Sequence, residues 1–332
     1  MMANSSLIGT WVRRFLLEHV IGDRNLSINT QASYRDTLVL LLPFAADLAH
    51  LTVDKLLTDH LASATIRLFL QHLEEQRKCC VATRNQRLAA IHALARFIAS
   101  KSPEHISWTT DVCSVQFKKT SKPSMCYLEK SEMDALLNAP DRSSMQGCRD
   151  YAVLLFLYNT GARANEVAQL KIGDVALGQF SSVKIIGKGN KTRHCPLWPV
   201  TTGVLESLIG TRQSSERVFL NQRKEPITRF GINSLVKRYA ARAALKCVSI
   251  GAKQVSPHSV RHTCAVHLLR AGVDINTIRA WLGHVSLDTT HVYAEVDLEM
   301  KARALAHCEI STREPEKNWQ KDTELMSFLK AL

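Results

Sequence analysis

No run of about eighteen uncharged apolar residues occurs in this 332-residue chain, so no membrane span is expected. A secretory leader is not expected either. Residues 11–20 are interrupted by Arg13, Arg14, Glu18 and His19, which fits an amphipathic helix instead. Cysteine is present but unorganised: nine residues, an odd number, scattered, with Cys79 and Cys80 adjacent and no C-x2-C spacing. That pattern excludes a zinc clip or a disulfide framework and fits reduced thiols in a cytosolic protein. Paired carboxylates are lacking beside the histidines, which fall on several segments, so neither metal nor cofactor is expected. No internal repeat or low-complexity segment occurs.

What the chain does have is basic charge. The formal net charge of +13 favours polyanions, chiefly nucleic acid, through release of condensed counterions. The length calls for two domains. Residues 7 to about 100 carry helical periodicity, with apolar stripes such as Ile66, Phe69, Leu70 and Leu73, or Leu88, Ile91, Leu94 and Phe97. Asn29-Thr30 and Thr83 read as caps, and Pro43 as a stop. In the last helix Arg84, Asn85 and Arg87 interleave with the stripe, either as its solvated face or as phosphate contacts. Residues 101–123 lose the helical period and end in a basic, Pro-closed run holding Lys118, Lys119 and Lys122, which reads as a linker. Beyond it come helices, a β-hairpin with GKGNK at its tip, then more helices. The fold class is therefore α+β and mainly α, with a helical domain at 1–105, a linker at 106–126, a mixed domain at 127–310 and a tail at 311–332.

The stretch at 256–293 gathers the chemistry. Ser256-Pro257 is a helix start, and His258 and Arg261 share one face of that helix. Residues 275–282 form a second helix stopped by Gly283, which sets His284 just past a helix end. Ser286 or Asp288 can cap a third, short helix with Tyr293 on it. Two imidazoles, a guanidinium and a phenol suit a phosphodiester: arginine neutralises oxygens, histidine moves protons, and tyrosine can attack.

Five motifs in one order make the pattern specific: TGAR-x-x-E at 160–166, IGKGNK at 186–191, H-x-x-R at 258–261, LGH at 282–284, and a tyrosine nine residues after that histidine. The chain resembles the tyrosine recombinase (phage integrase) family. The helical half, with NT-x-x-SY at 29–34 and TRNQRL at 83–88, is similar to the family's SAM-like core-binding domain, so the resemblance covers nearly the whole chain. It implies that Tyr293 attacks the scissile phosphorus, leaving a 3′-phosphotyrosine and a free 5′-hydroxyl, without ATP or metal. Arg163 and Arg261 would hold the non-bridging oxygens, His284 would add a donor, and His258 would act as base or proton shuttle. The hairpin offers Lys188, Lys191 and Arg193 as acids for the leaving oxygen, and the family pattern selects Lys188. Glu166 would buttress Arg163, while Trp281, His262 and His291 would pack around the site.

The resemblance also implies partners. The substrate would be double-stranded DNA with inverted-repeat core sites, embraced by the two domains, with Arg84, Asn85, Arg87, Lys118, Lys119, Lys122, Lys191 and Arg193 as candidate DNA contacts. Four protomers would assemble on two sites, with the amphipathic segment 323–332 docking on a neighbour, in the bacterial cytoplasm at the nucleoid. Two other readings remain open: a type IB topoisomerase-like or resolvase-like strand transferase, and a DNA-binding protein with a dead site.

Overall fold

The computed structural model describes residues 7–120, 125–283, 327, 330 and 331. The chain divides into two units, Met1–Pro123 and Ser124–Leu332, each with its own apolar core.

The first unit is helical. Helix α1 (Ile8–Arg14) runs straight into a π-helical segment, Phe15–Asp23. Phe15 is fully buried and stacks on Tyr34 of α2 (Ile28–Ala49), with ring centroids 5.7 Å apart. Helices α3 (Ser63–Glu75) and α4 (Val81–Lys101) bury the two apolar stripes read from the sequence.

Three local expectations change here. The cap of α2 is Ser27, whose hydroxyl accepts the Thr30 N–H, two residues before the expected Asn29. Pro43 lies inside α2. Its ring removes one backbone bond, but Ala45 and Ala46 beyond it are buried and keep the helix going. Helix α4 begins at Val81 after Cys80, with no side-chain cap from Thr83. The expected linker also starts as structure. Residues Ile106–Cys113 form α5, whose Val112 is buried in the first core and whose Asp111 accepts the backbone N–H and the hydroxyl of Ser63 at 2.8 Å each. Two turns holding few apolar residues were too short to show a period.

The second unit is built around α7 (Met145–Thr160). Every residue from Asp150 to Thr160 is buried, as a near-continuous run of apolar residues requires of a helix enclosed on all sides. Around it stand α6 (Lys130–Leu137), α8 (Ala164–Gln169), α9 (Pro199–Ile209), α10 (Arg229–Ala244), α11 (Val248–Gly251), α12 (Pro257–Arg270) and α13 (Ile275–Leu282). Strands β1 (Val175–Ala176), β2 (Ser182–Ile186) and β3 (Thr192–Pro196) form an antiparallel sheet in the order β1-β2-β3. The hairpin pairs Val183 with Cys195 and Ile185 with Arg193, and all four residues face the core. The architecture is the expected mainly helical α+β fold, with β1 as an addition that two residues could not announce.

One buried carboxylate ties α7 to α10. Asp150 is fully buried and accepts from Arg149, from Arg238 Nη2 at 2.7 Å and from the Tyr239 hydroxyl at 2.8 Å. Removing the acceptor takes the carboxylate from mostly buried Arg149 and from the buried Tyr239 hydroxyl, so Asp150→Ala should lower unfolding free energy by about 3–5 kcal/mol. Arg238 is 45% exposed, and Arg238→Ala should cost less than about 1 kcal/mol. Urea titrations of the two variants check the contrast, and equal losses would mean that the network is not centred on Asp150.

Candidate active site

Helix ends build the site. Gly161 closes α7 in the left-handed region at φ +58°, and a Cβ there would come within 2.3 Å of Leu282 in α13. Glycine thus allows both the turn and the close approach of α13. Two residues later Arg163 opens α8. Glu166, one turn on, accepts the Arg163 backbone N–H at 2.9 Å and its Nη1 at 2.8 Å. The side chain of Arg163 stays 41% exposed.

Ser256 caps α12, with Pro257 in the first turn, as its sequence predicted. Arg261 on this helix is only 1% exposed. It donates through Nη1 to Gly161 O and through Nη2 to Leu282 O, both at 2.6 Å. Two carbonyls at helix C-termini, each at the negative end of a helix dipole, make such a buried cation tolerable. His258 lies one turn before Arg261 and packs edge-on against His262 at 4.3 Å between centroids.

Arg163, His258 and Arg261 line one cavity of about 450 Å³, together with Arg229, Phe230 and Asn233 from the start of α10. A second cleft, about 900 Å³, shares Arg163 and is lined by Lys191, Arg193, His194 and the α13 residues Asn276, Thr277 and Arg279. Three guanidiniums and an imidazole on one cavity give it the chemistry to attract an anion. Partial burial, then the charges of Arg261 and Arg163, lower the His258 pKa, and its exposed edge tempers the effect. The shift favours the neutral ring, the form able to accept a proton.

Of the residues proposed from sequence, the fold brings Arg163, Glu166, His258 and Arg261 together across almost a hundred positions. Lys188 lies in the turn Lys188–Asn190 at the hairpin tip, and Lys191 beside it is exposed. His284, Tyr293, His291 and Lys122, and most of the terminal segment 323–332, lie outside the described residues.

Two of the candidate DNA contacts are buried. Arg84 is 6% exposed, and its Nη1 donates to Asn85 Oδ1 and Gln116 O, both at 2.9 Å. Arg193 is 9% exposed and donates to Glu166 Oε2 at 2.7 Å. Buried, internally bonded guanidiniums do not present a charge to a duplex. Asn85 and Arg87 are half-buried and also serve the interior: Asn85 bonds the backbone of Lys118, and Arg87 bonds Ser33 O and Thr37 Oγ1 of α2. Exposed Lys118 pairs with Glu74 at 2.7 Å, and Lys119 is exposed. Sequence reasoning passed over the α10 residues Arg229, Phe230 and Asn233. A Thr228 cap directly before an Arg-Phe pair was the available signal.

Residues 126–300 match the phage integrase family, and residues 13–102 match the phage integrase N-terminal SAM-like domain. The chain belongs to the phage integrase family. It is a tyrosine recombinase by that membership. A putative integrase/recombinase, y4rC of Sinorhizobium fredii, is 34% identical over the whole of both chains. The tyrosine recombinase XerD of Halalkalibacterium halodurans is 30% identical, over 86% of this chain and 93% of its own. Among solved structures, the XerH site-specific recombinase in a post-cleavage complex with palindromic difH substrate matches with a TM-score of 0.65. It is 21% identical and covers 87% of this chain and 82% of its own. At that identity the match speaks for the fold. Among the described residues, no helix is long and apolar enough to cross a membrane.

His262 provides a pH test. Burial first, then His258 and Arg261, lowers its pKa to about 4. An unfolded histidine titrates near about 6.5. Between those values the unfolded chain binds a proton that the folded chain refuses, so stability should fall as pH drops from about 6.5 to about 4. Above that window there should be no effect. At pH 5 the loss should be on the order of 1 kcal/mol for this half-buried ring. In His262→Asn the difference between urea midpoints at pH 7.5 and pH 5 should shrink, and an unchanged difference would assign the titration elsewhere.

Proposed function

We propose that this recombinase cuts and rejoins double-stranded DNA through a covalent bond to Tyr293. The observation that carries the reading is the convergence of Arg163, Arg261 and His258 on one cavity. In the proposed step the Tyr293 oxygen attacks the scissile phosphorus and passes its proton to His258. The bond from phosphorus to the 5′-oxygen breaks, Lys188 protonates that oxygen, and a 3′-phosphotyrosine remains. Arg163 and Arg261 meet the non-bridging oxygens as negative charge builds on them. Arg261 is held by two carbonyls before substrate arrives, so little reorganisation is required of it. His284 supplies a further donor. Attack by a 5′-hydroxyl of the other duplex reverses the step, and because the ester conserves the bond energy no nucleotide is consumed.

The palindromic substrate of XerH supports inverted-repeat sites for this chain. Each repeat would seat one protomer, and exchange between two sites would bring four together, with segment 323–332 as the proposed contact between neighbours. The setting would be chromosomal DNA in a bacterial cytoplasm.

Tyr293→Phe should bind a nicked suicide duplex as the wild type does yet leave no denaturant-resistant adduct. An adduct from the Phe variant would remove Tyr293 from the reaction. Excess chelator should not affect the wild-type adduct, whereas loss of cleavage restored by magnesium would point to a metal nuclease.

Leaving-group chemistry tests Lys188. Loss of a positioned acid costs about 10²–10⁴-fold in rate, whereas a thiolate leaves with little protonation. Lys188→Ala should therefore cleave an ordinary site slowly and regain most of its rate when the bridging 5′-oxygen is replaced by sulfur. Arg163→Ala should not be rescued. If sulfur instead restores Lys191→Ala and leaves Lys188→Ala slow, the acid is Lys191.

A further inference from the structure

Beneath Arg163 lies a charge arrangement that the proposed chemistry leaves unused. The Glu166 carboxylate is 5% exposed and is shared by two arginines. Its Oε1 takes Arg163 Nη1 at 2.8 Å. Its Oε2 takes the Arg163 backbone N–H at 2.9 Å and Arg193 Nη2 at 2.7 Å. Arg193 reaches it from β3, on the core side of the hairpin, opposite Ile185. Its flank packs on Gly283, where a Cβ would stand 3.2 Å from Arg193 Cδ and 3.3 Å from Nη1. Gly283 directly precedes His284, so the same guanidinium lies under the turn that leads to a second candidate phosphate donor.

The charges decide what this arrangement does. Arg163 and Glu166 alone sum to zero, and a neutral pair attracts a phosphate weakly. Arg193 makes the cluster net positive, while 9% exposure keeps Arg193 itself away from a duplex. Burial alone would raise the Glu166 pKa, but the bond and charge of Arg193, with the donors of Arg163, outweigh it and hold the carboxyl below its usual range. The carboxylate therefore stays ionised, and it has a second cation to satisfy it.

We propose that Arg193 is a positioning residue for strand cleavage: it occupies the inner side of Glu166, so that Glu166 orients Arg163 without cancelling its charge. The inference rests on the reading that Arg163 meets the scissile phosphate. A packing role alone would not depend on the charge of Glu166, and that dependence is what separates the two roles.

The test is a double-variant cycle on the full chain, read as the rate of adduct formation on the suicide duplex and as duplex affinity. Arg193→Ala should form adduct about 10²-fold more slowly, comparable to the loss of one preorganised donor, with affinity changed by no more than about threefold. In a Glu166→Gln background, where no carboxylate needs neutralising, the same substitution should cost less than about threefold. Arg193→Lys, which keeps the charge, should recover part of the rate. Should Arg193→Ala fail to fold, the comparison of Glu166→Gln with the double variant still carries the test, because neither leaves a buried carboxylate short of a cation. Wild-type rates in Arg193→Ala, or equal losses in both backgrounds, would overturn the proposal. A wild-type chain that forms no adduct at all would instead overturn the cleavage reading on which it stands.

Discussion

A single buried guanidinium ties the ends of α7 and α13 to α12. Arg261 joins the last carbonyl of α13 to the turn that ends α7, from a position on α12. Two neighbouring helices, α12 and α13, thereby meet the distant α7 at one charge. Burying a cation is costly unless its donors are satisfied, so the helix ends cannot drift without stranding it. The left-handed turn at Gly161 and the close approach of Leu282 both follow from that constraint. A cation locked in this way is also suited to catalysis, because it requires little rearrangement when an anion arrives.

Around that centre the second unit divides its charges by depth. Arg163 keeps a partly exposed side chain at the cavity, Glu166 lies beneath it, and Arg193 lies on the far side of Glu166. The first unit shows the same economy. Arg84, Asn85 and Arg87 lie at the start of α4, where basic residues suggest a polyanion, yet they fasten α4 to the segment after α5 and to α2. The net charge of the chain therefore overstates how much of it faces a ligand. Arg229, Lys191 and Lys119 are exposed, whereas Arg84 is buried.

Local signals were most informative where chemistry and backbone coincide. Ser256-Pro257 opens a helix because a hydroxyl satisfies a free N–H and proline lacks one, and Gly283 ends a helix because a left-handed residue is needed there. Local capping chemistry is therefore enough to put His258 and Arg261 on one face and His284 just past a terminus. The caps of α2 and α4 were misread because Ser27, Asn29, Thr30 and Thr83 are equally competent in isolation. Packing of the apolar stripe chose among them.

The sequence by itself determined the fold class, the two units, the family and the order of the reactive residues, since each follows from periodicity, capping and motif spacing along the chain. Only the tertiary structure decided which basic residues face outward. The alternation of β3 did contain a hint, because Arg193 shares its parity with Cys195 and so faces the core. Even so, a buried arginine requires a partner, and that partner, Glu166, stands 27 positions away on a helix. No spacing rule connects a strand residue to a helix residue across a core. Three-dimensional packing makes that connection, and with it turns a surface charge into an internal one.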